Sequence, residues 1–308
     1  MHPDRNLFER GLRNACFSYT STVNRFSVAS PILMADSLSK PLPDYQRPPV
    51  IEVIYGIQFE ALKEWRTPLI GTLWQAIKAD YPKFKEMPVL APVIERFDQA
   101  IPTEMAALEL LDGPPLPRLF FLDSPENWVM QVQNDRFLHN WKRMKEDDVY
   151  PRFGRVSERF FEAWEKFLAF LLSQEIAEPN ITQLEITYIN HIPVEKNRST
   201  VEEIQTDLVD VRWEDGHKFL PSPETVTWTS SFLLPENGGR LHIALRPAQR
   251  RKDKVSVLLL ELTARGIPNS TDMASIQSWF AMSREWIVRG FADITRQEVQ
   301  RERWGRRE

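Results

Sequence analysis

The sequence predicts an α+β domain of two layers, a mainly antiparallel sheet with helices packed on one face, and three observations carry that prediction. Ile51, Val53, Tyr55, Ile57 and Phe59 alternate with Glu52, Gln58 and Glu60, the period-two mark of a half-buried strand. Val156, Phe160, Phe161, Trp164, Phe167, Leu168, Leu171 and Leu172 recur at helical spacing and form one wide apolar stripe that must pack on a sheet. Several short strand patterns follow one another across polar turns, which favours antiparallel neighbours.

Taken in order, the strand near 51–59 leads into a helix in which Leu69, Leu73, Trp74 and Ile77 share a face; Pro68 suits its first turn, and Pro82 marks that it has ended. The proline-rich stretch 88–118 blocks regular structure over most of its length and reads as a long ordered crossing, with one helical turn near 104–111. Residues 118–122 and 128–132 flank the turn-like Asp123-Ser124-Pro125-Glu126-Asn127 and predict a hairpin. After the striped helix, Leu184, Ile186, Tyr188 and Ile192 lie in phase against Glu185, Thr187 and His191, and Asn190 falls on the apolar phase. The first half thus reads β-α-β-β-α-β. Strands near 225–234, 241–245 and 254–263 follow, joined by turns at Gly238-Gly239 and 249–253, and a closing helix carries Ile276, Phe280, Trp286, Ile287 and Phe291. A diverged duplication of a split β-α-β unit fits this order, without any repeat at the level of residues.

Residues 1–45 predict a disordered or extended segment, 46–295 a single α+β domain, and 296–308 a basic C-terminal tail. The first of these holds Arg5, Arg10, Arg13 and Arg25 among Ser, Thr and Asn, with only Asp4 and Glu9 acidic over the first thirty residues, and Met34 opens an alternative start.

Composition narrows the function classes. The 308 residues are 42% hydrophobic, which supports a sizeable core, and a net charge of −4 argues against a surface built throughout to neutralise phosphate. Cys16 is the single cysteine, so an intrachain disulfide, a CxxC redox pair and a cysteine-rich zinc cluster are excluded and a reducing, cytoplasmic setting is expected. No apolar run approaches the roughly eighteen residues a spanning helix needs, so no membrane association is expected. Phosphate-loop, dinucleotide, GxSxG and HExxH signatures are missing, and the five histidines stand singly, so the sequence implies no catalytic residue, no metal and no cofactor.

The densest polar-aromatic segment runs from Gln131 to Arg143. Within it Asp135, Arg136, Asn140 and Trp141 are the candidate binding residues, because a guanidinium beside an indole can stack a base, hold an anion or anchor a partner. The competing reading, which is preferred, gives them structural work: Asp135 and Arg136 tie a strand corner while Phe137 and Trp141 fill the core. Asn190 receives the same two readings, as a ligand contact or as an amide completing backbone hydrogen bonds at a strand irregularity. Arg246, Arg250, Arg251 and Lys252, around a hairpin turn, are candidate phosphate contacts, and Arg296, Arg301, Arg303, Arg306 and Arg307 make the C-terminus basic. Asp147, Asp148, Glu202 and Glu203 read as solvated surface.

Several segments together resemble a sporadically distributed family of uncharacterised bacterial proteins. They are Pro48-Pro49-Val50-Ile51-Glu52-Val53 running into Gly56-Ile57-Gln58-Phe59, Gln133-Asn134-Asp135-Arg136-Phe137 with Asn140-Trp141, Tyr150-Pro151-Arg152-Phe153, Tyr188-Ile189-Asn190-His191-Ile192, and Glu285-Trp286-Ile287-Val288-Arg289-Gly290-Phe291. The resemblance covers about 43–294. It implies one domain and brings no activity, cofactor or catalytic residue; patchy distribution is typical of accessory genes on mobile or defence loci. The function expected is a non-catalytic binding protein, an adaptor or regulator with a protein partner. The alternatives are a nucleic-acid-binding module and a small-ligand carrier or enzyme with a pocket between sheet and helices. Neither the partner nor the oligomeric state can be read from the sequence.

Overall fold

A computed structural model of the chain describes residues 41–95, 116–209 and 219–307. The described strands are β1 (Asp44–Tyr45), β2 (Val50–Phe59), β3 (Lys83–Met87), β4 (Arg118–Leu122), β5 (Trp128–Gln133), β6 (Arg136–Lys142), β7 (Ile181–Pro193), β8 (Trp228–Leu233), β9 (Arg240–Gln249), β10 (Ser256–Gly266) and β11 (Arg306–Arg307). The α-helices are α1 (Thr67–Ile77), α2 (Arg152–Ser173), α3 (Thr200–Asp207), α4 (Met273–Ile294) and α5 (Gln297–Glu302).

Nine strands form one sheet in the order β3-β4-β5-β6-β2-β7-β10-β9-β8, and β1 pairs separately with β11. Every pairing is antiparallel. The two-layer α+β architecture is therefore present. Its halves share an element order: each starts on a central strand (β2 or β7), passes through a helix to an edge, meanders back to pair with its own first strand, and ends in a long helix. The first half carries two strands more than the β-α-β-β-α-β order expected. No residue-level repeat accompanies this likeness, and no common origin is drawn from it.

Period-two alternation decides what each face carries. Val53, Tyr55 and Ile57 of β2 meet Trp141, His139 and Phe137 of β6 on one side and Tyr188, Ile186 and Leu184 of β7 on the other, all buried. Onto this face α2 lays Phe160, Trp164 and Phe167; Trp164 sits 5.3 Å from the ring of Phe137 and 6.2 Å from that of Phe59. The α4 helix, capped by Asp272 accepting from the Ser275 amide at 2.9 Å, brings Phe280 to 4.8 Å from Tyr55. His139 belongs to this core. Burial drives its imidazole down to about 3, so it is neutral, accepting or donating one hydrogen bond with the Tyr81 hydroxyl at 2.9 Å and stacking on Trp128.

Three expectations need correction. Residues 44–45 are not part of a loose leader: Tyr45 is buried against Phe291 and Trp304 and pairs with Arg306. The C-terminal residues are not a free basic tail, because α5 and β11 fold back and bury Gln300 and Trp304, and three of the arginines have partners: Arg303 binds Glu195, Glu203 and Asp207, Arg306 binds Gln300 and Arg307 binds Asp44, while Arg301 is exposed. Glu203 is not solvated surface. A Ser199–Glu202 capping box starts α3 and turns Glu203 and Asp207 inward, where both are fully buried beside Arg303. The helical turn expected near 104–111, most of the 1–45 segment and Met34 lie outside the described residues.

Candidate functional site

The face of the sheet opposite α2 and α4 carries polar side chains interspersed with Ile54, Phe120 and Leu138, and the polar ones are linked rather than solvated singly. Arg118 of β4 donates to Gln131 Oε1 of β5 at 3.0 Å, Gln131 Nε2 donates to Asn140 Oδ1 of β6 at 2.7 Å, and Asn140 Nδ2 donates to Glu52 Oε1 of β2 at 2.6 Å. One hydrogen-bonded row thus crosses four adjacent strands. Burial raises the Glu52 carboxyl above its ordinary range, against the pull of Asn140 and Lys142. Farther along the sheet, Arg265 of β10 binds Glu185 of β7 at 2.6 Å, and Thr187 and Thr263 share a hydrogen bond of 2.9 Å. Gly56 faces the same side because Leu138 fills the space above it; a Cβ there would lie 2.5 Å from Leu138 Cδ2.

Residues 90–95 cross this face as a strap. Gln133 clamps Leu90, accepting from its N–H at 2.9 Å and donating to its carbonyl at 3.1 Å. Arg136 donates to the carbonyl of Ala91 at 3.3 Å. Gln183 repeats the clamp, donating to the Val93 carbonyl at 2.8 Å and accepting from the Glu95 N–H at 2.7 Å. Glu95 is buried, with its carboxylate bound by the Arg240 guanidinium and by His242 Nε2 at 2.8 Å. Burial pushes the Glu95 carboxyl up, but hydrogen bonds from His242 and Arg240 outweigh it and hold the group below its usual range. His242 Nδ1 shares a hydrogen bond of 2.8 Å with Ser231 Oγ. Pro92 biases Ala91 toward extended backbone, which suits a crossing.

What holds the strap is polar. Ile94 is 55% exposed and Val89 43%, and Ala91 and Pro92 are exposed as well, so little apolar burial fastens it. Two glutamines reading backbone groups, with an arginine and a histidine reading one carboxylate, are chemistry for recognising a peptide segment with little dependence on its other side chains.

The sequence-derived candidates separate onto the two faces. Asp135, Arg136 and Asn140 lie on or beside the polar face: Arg136 is 5% exposed, its Nε donates to Asp135 Oδ1 at 3.1 Å, and Asp135 also accepts from Gln133 at 2.8 Å. Trp141 and Asn190 point the other way, into the helix layer. The Trp141 ring lies tilted 5.4 Å from that of Tyr150, and Asn190 Nδ2 donates to the Leu260 carbonyl at 3.1 Å beside the register shift between Val50 and Glu52. At the β9–β10 turn Arg250 is occupied by Asp253, while Arg246, Arg251 and Lys252 are exposed. Among the described residues no group of three or more His, Cys, Asp or Glu side chains is placed to hold a metal ion.

Gln133, Gln183, Arg240, His242 and Glu95 were not singled out from sequence as a set. The available signal was the polar phase of the strands: Gln58, Gln131, Gln133 and Gln183 all alternate with core residues, and amides repeated at inward register are not the usual residues of a solvated face.

No protein-family model matches the chain, and no curated protein matches it. Among solved structures it is similar to a rolling circle replication initiator protein from Geobacillus stearothermophilus, at 9% identity over 85% of this chain and 92% of that one, with a TM-score of 0.22. A likeness at that score carries no argument about fold or function. No helix among the described residues is long and apolar enough to cross a membrane.

Proposed function

We propose that the chain is a non-catalytic binding protein that takes a segment of a protein partner across the polar face of its sheet. The observation behind this reading is the strap: the face holds residues 90–95 by clamping backbone at Gln133 and Gln183 and by seating a carboxylate between Arg240 and His242. A partner segment carrying an acidic residue at the matching position would satisfy the same groups. Because the strap buries little apolar surface, a partner displaces it at modest cost. The resemblance to a patchily distributed bacterial family is consistent with an adaptor or regulator of an accessory system, since such a role needs a surface rather than a reaction centre.

The exposed Arg246, Arg251 and Lys252 support the nucleic-acid alternative less well. They make no built network, and the neighbouring Arg250 is neutralised by Asp253.

The test uses a labelled synthetic peptide copying residues 87–95, added to the full chain. The wild type should bind it weakly, because its own strap competes at high effective concentration. Glu95→Ala in the chain should loosen that strap and raise peptide affinity at least tenfold, and adding Gln133→Ala with Gln183→Ala should abolish the gain. Failure of the Glu95→Ala chain to bind the peptide, or binding indifferent to both glutamines, refutes the proposal. A binding constant falling steeply with salt for an unrelated single-stranded oligonucleotide, with none for the peptide, would transfer the face to nucleic acid.

A further inference from the structure

On the helix side of the sheet, away from the strap, a cavity of about 100 Å³ opens between the N-terminal segment, the start of α2 and the middle of α4. Its walls are mostly apolar, including Val50, Leu262, Ile287, Val288 and Phe291. Its polar lining residues include Tyr150, Tyr188, Asn190 and Arg284, besides Asp44, Tyr45 and Arg152. The phenol oxygens of Tyr150 and Tyr188 are 3.2 Å apart, and burial raises both hydroxyls so that they stay protonated. Asn190 spends its Nδ2 on the sheet, as described above.

Arg284 supplies the positive charge beside the two phenols. Its guanidinium lies 4.6 Å above the ring of Phe153 and beside the Tyr188 hydroxyl, its Nε is buried with no hydrogen-bond partner, and among the described residues no carboxylate stands within ion-pairing distance of it. The carboxylate in the cavity wall, Asp44, is committed to Arg152 at 2.9 Å and to Arg307 at 3.2 Å. Arg136, Arg240, Arg265 and Arg303 face carboxylates, whereas Arg118, Arg143, Arg159 and Arg296 share with Arg284 a buried Nε that has no hydrogen-bond partner. A half-buried guanidinium that lines an apolar cavity and has no carboxylate partner among the described residues suits an anion. The apolar walls call for a hydrocarbon body on that anion.

We infer that this cavity binds a small carboxylic acid, its carboxylate against Arg284 with the Tyr150 and Tyr188 hydroxyls and its hydrocarbon part against Leu262, Ile287 and Phe291. The volume sets the size. An apolar cavity of about 150 Å³ holds benzene, so about 100 Å³ takes a short aliphatic body of roughly three to five carbons. The mouth adjoins a wider cleft of about 610 Å³ that shares Pro48, Pro49, Tyr150 and Arg152 and carries Arg143, whose buried Nε is likewise unpartnered. The cavity lies on the opposite side of the sheet from the strap, so its test does not depend on that face.

Isothermal titration of the full chain with propionate, butyrate and isovalerate tests the assignment, with isoamyl alcohol as the uncharged isostere, inorganic phosphate as the anion without a body, and circular dichroism to check the fold of each variant. The expected result is saturable 1:1 binding of at least one acid with a Kd in the millimolar range or tighter, and a Kd at least tenfold weaker for the alcohol and for phosphate. Arg284→Leu should weaken acid binding at least tenfold, while Arg155→Gln, on the exposed face of α2 and paired with Glu158, should leave it unchanged. Should Arg284→Leu fail to fold, Tyr188→Phe with Tyr150→Phe replaces it, with a loss of at least threefold expected. Absence of binding by every acid, equal binding of phosphate, or binding unaffected by the substitutions overturns the inference.

Discussion

Replacing Arg136 with alanine separates a structural from a purely recognitive role for the corner where β5 turns into β6. Arg136 has a side chain only 6% exposed and makes three contacts in the structure: Nε to Asp135 Oδ1 at 3.1 Å, and Nη2 to Asp135 Oδ2 and to the Ala91 carbonyl, each at 3.3 Å. Its removal strands a carboxylate and a carbonyl. Stranded buried acceptors cost about 1–3 kcal/mol, and breaking a fully buried pair about 3–5 kcal/mol. Asp135 is 22% exposed and keeps its hydrogen bond from Gln133, which places this case in the lower range, at about 2 kcal/mol. With a urea slope of about 2 kcal/mol/M, the unfolding midpoint should fall by about 1 M. A double-mutant cycle with Asp135→Asn should return a coupling of about 1 kcal/mol, since the two side chains touch. Amide exchange across 90–95 should quicken in the same variant, because one of the strap's polar ties is gone. A loss under about 0.5 kcal/mol, the range of an ordinary surface substitution, would show that the contacts carry no stability and that Arg136 is retained for recognition alone.

Three further substitutions probe other parts of the fold. Trp164→Ala empties the centre of the α2–sheet interface and should cost about 3–5 kcal/mol by chemical denaturation; a loss below about 1 kcal/mol would contradict that packing. Trp304→Ala should cost a similar amount, about 3 kcal/mol, since the indole is 4% exposed and lies 4.9 Å from Phe291, whereas a free tail would lose nothing. Burial, aided by the neighbouring Glu203 and opposed by Arg303, raises the Asp207 carboxyl to about 7. A folded value above the unfolded one means that the stability it contributes is complete in acid and is lost as pH rises through 7. Melting temperature should therefore decline between about pH 4 and pH 7, the interval between the unfolded and folded values, and Asp207→Asn should flatten that decline; an unchanged pH profile would refute the assignment.

The sequence was most informative where one face of an element is wholly apolar. Strand β2 and helix α2 could be placed to within a few residues because Val53, Tyr55 and Ile57, or Phe160, Trp164 and Phe167, leave no choice of face. Strand β6 was hidden although it alternates, because His139 occupies an inward position and Leu138 an outward one, so polarity and burial disagree at adjacent residues. Edge strand β3 has no buried residue and thus no pattern; Lys83 and Lys85 keep it soluble by pairing with Glu126. Helix α3 announced itself only through Ser199 and Glu202. The face beneath the strap was legible residue by residue as polar, but the arrangement depends on the strap. Nothing local in Leu90 or Glu95 shows that they lie over Gln133, Gln183 and Arg240, strands apart in the sheet and up to 145 residues away in sequence.

The pairing of β2 with β7 at the middle of the sheet has a kinetic consequence. The hairpins β5–β6 and β9–β10 join neighbours in sequence and can form early, but Tyr55 pairs with Ile186 across an intervening chain of well over a hundred residues. Closing so long a loop is entropically costly until both halves are already ordered. The central seam is then the last ladder to zip and governs the folding rate, so a substitution at the seam such as Ile186→Ala should slow refolding, whereas one in the β9–β10 hairpin should act mainly on unfolding.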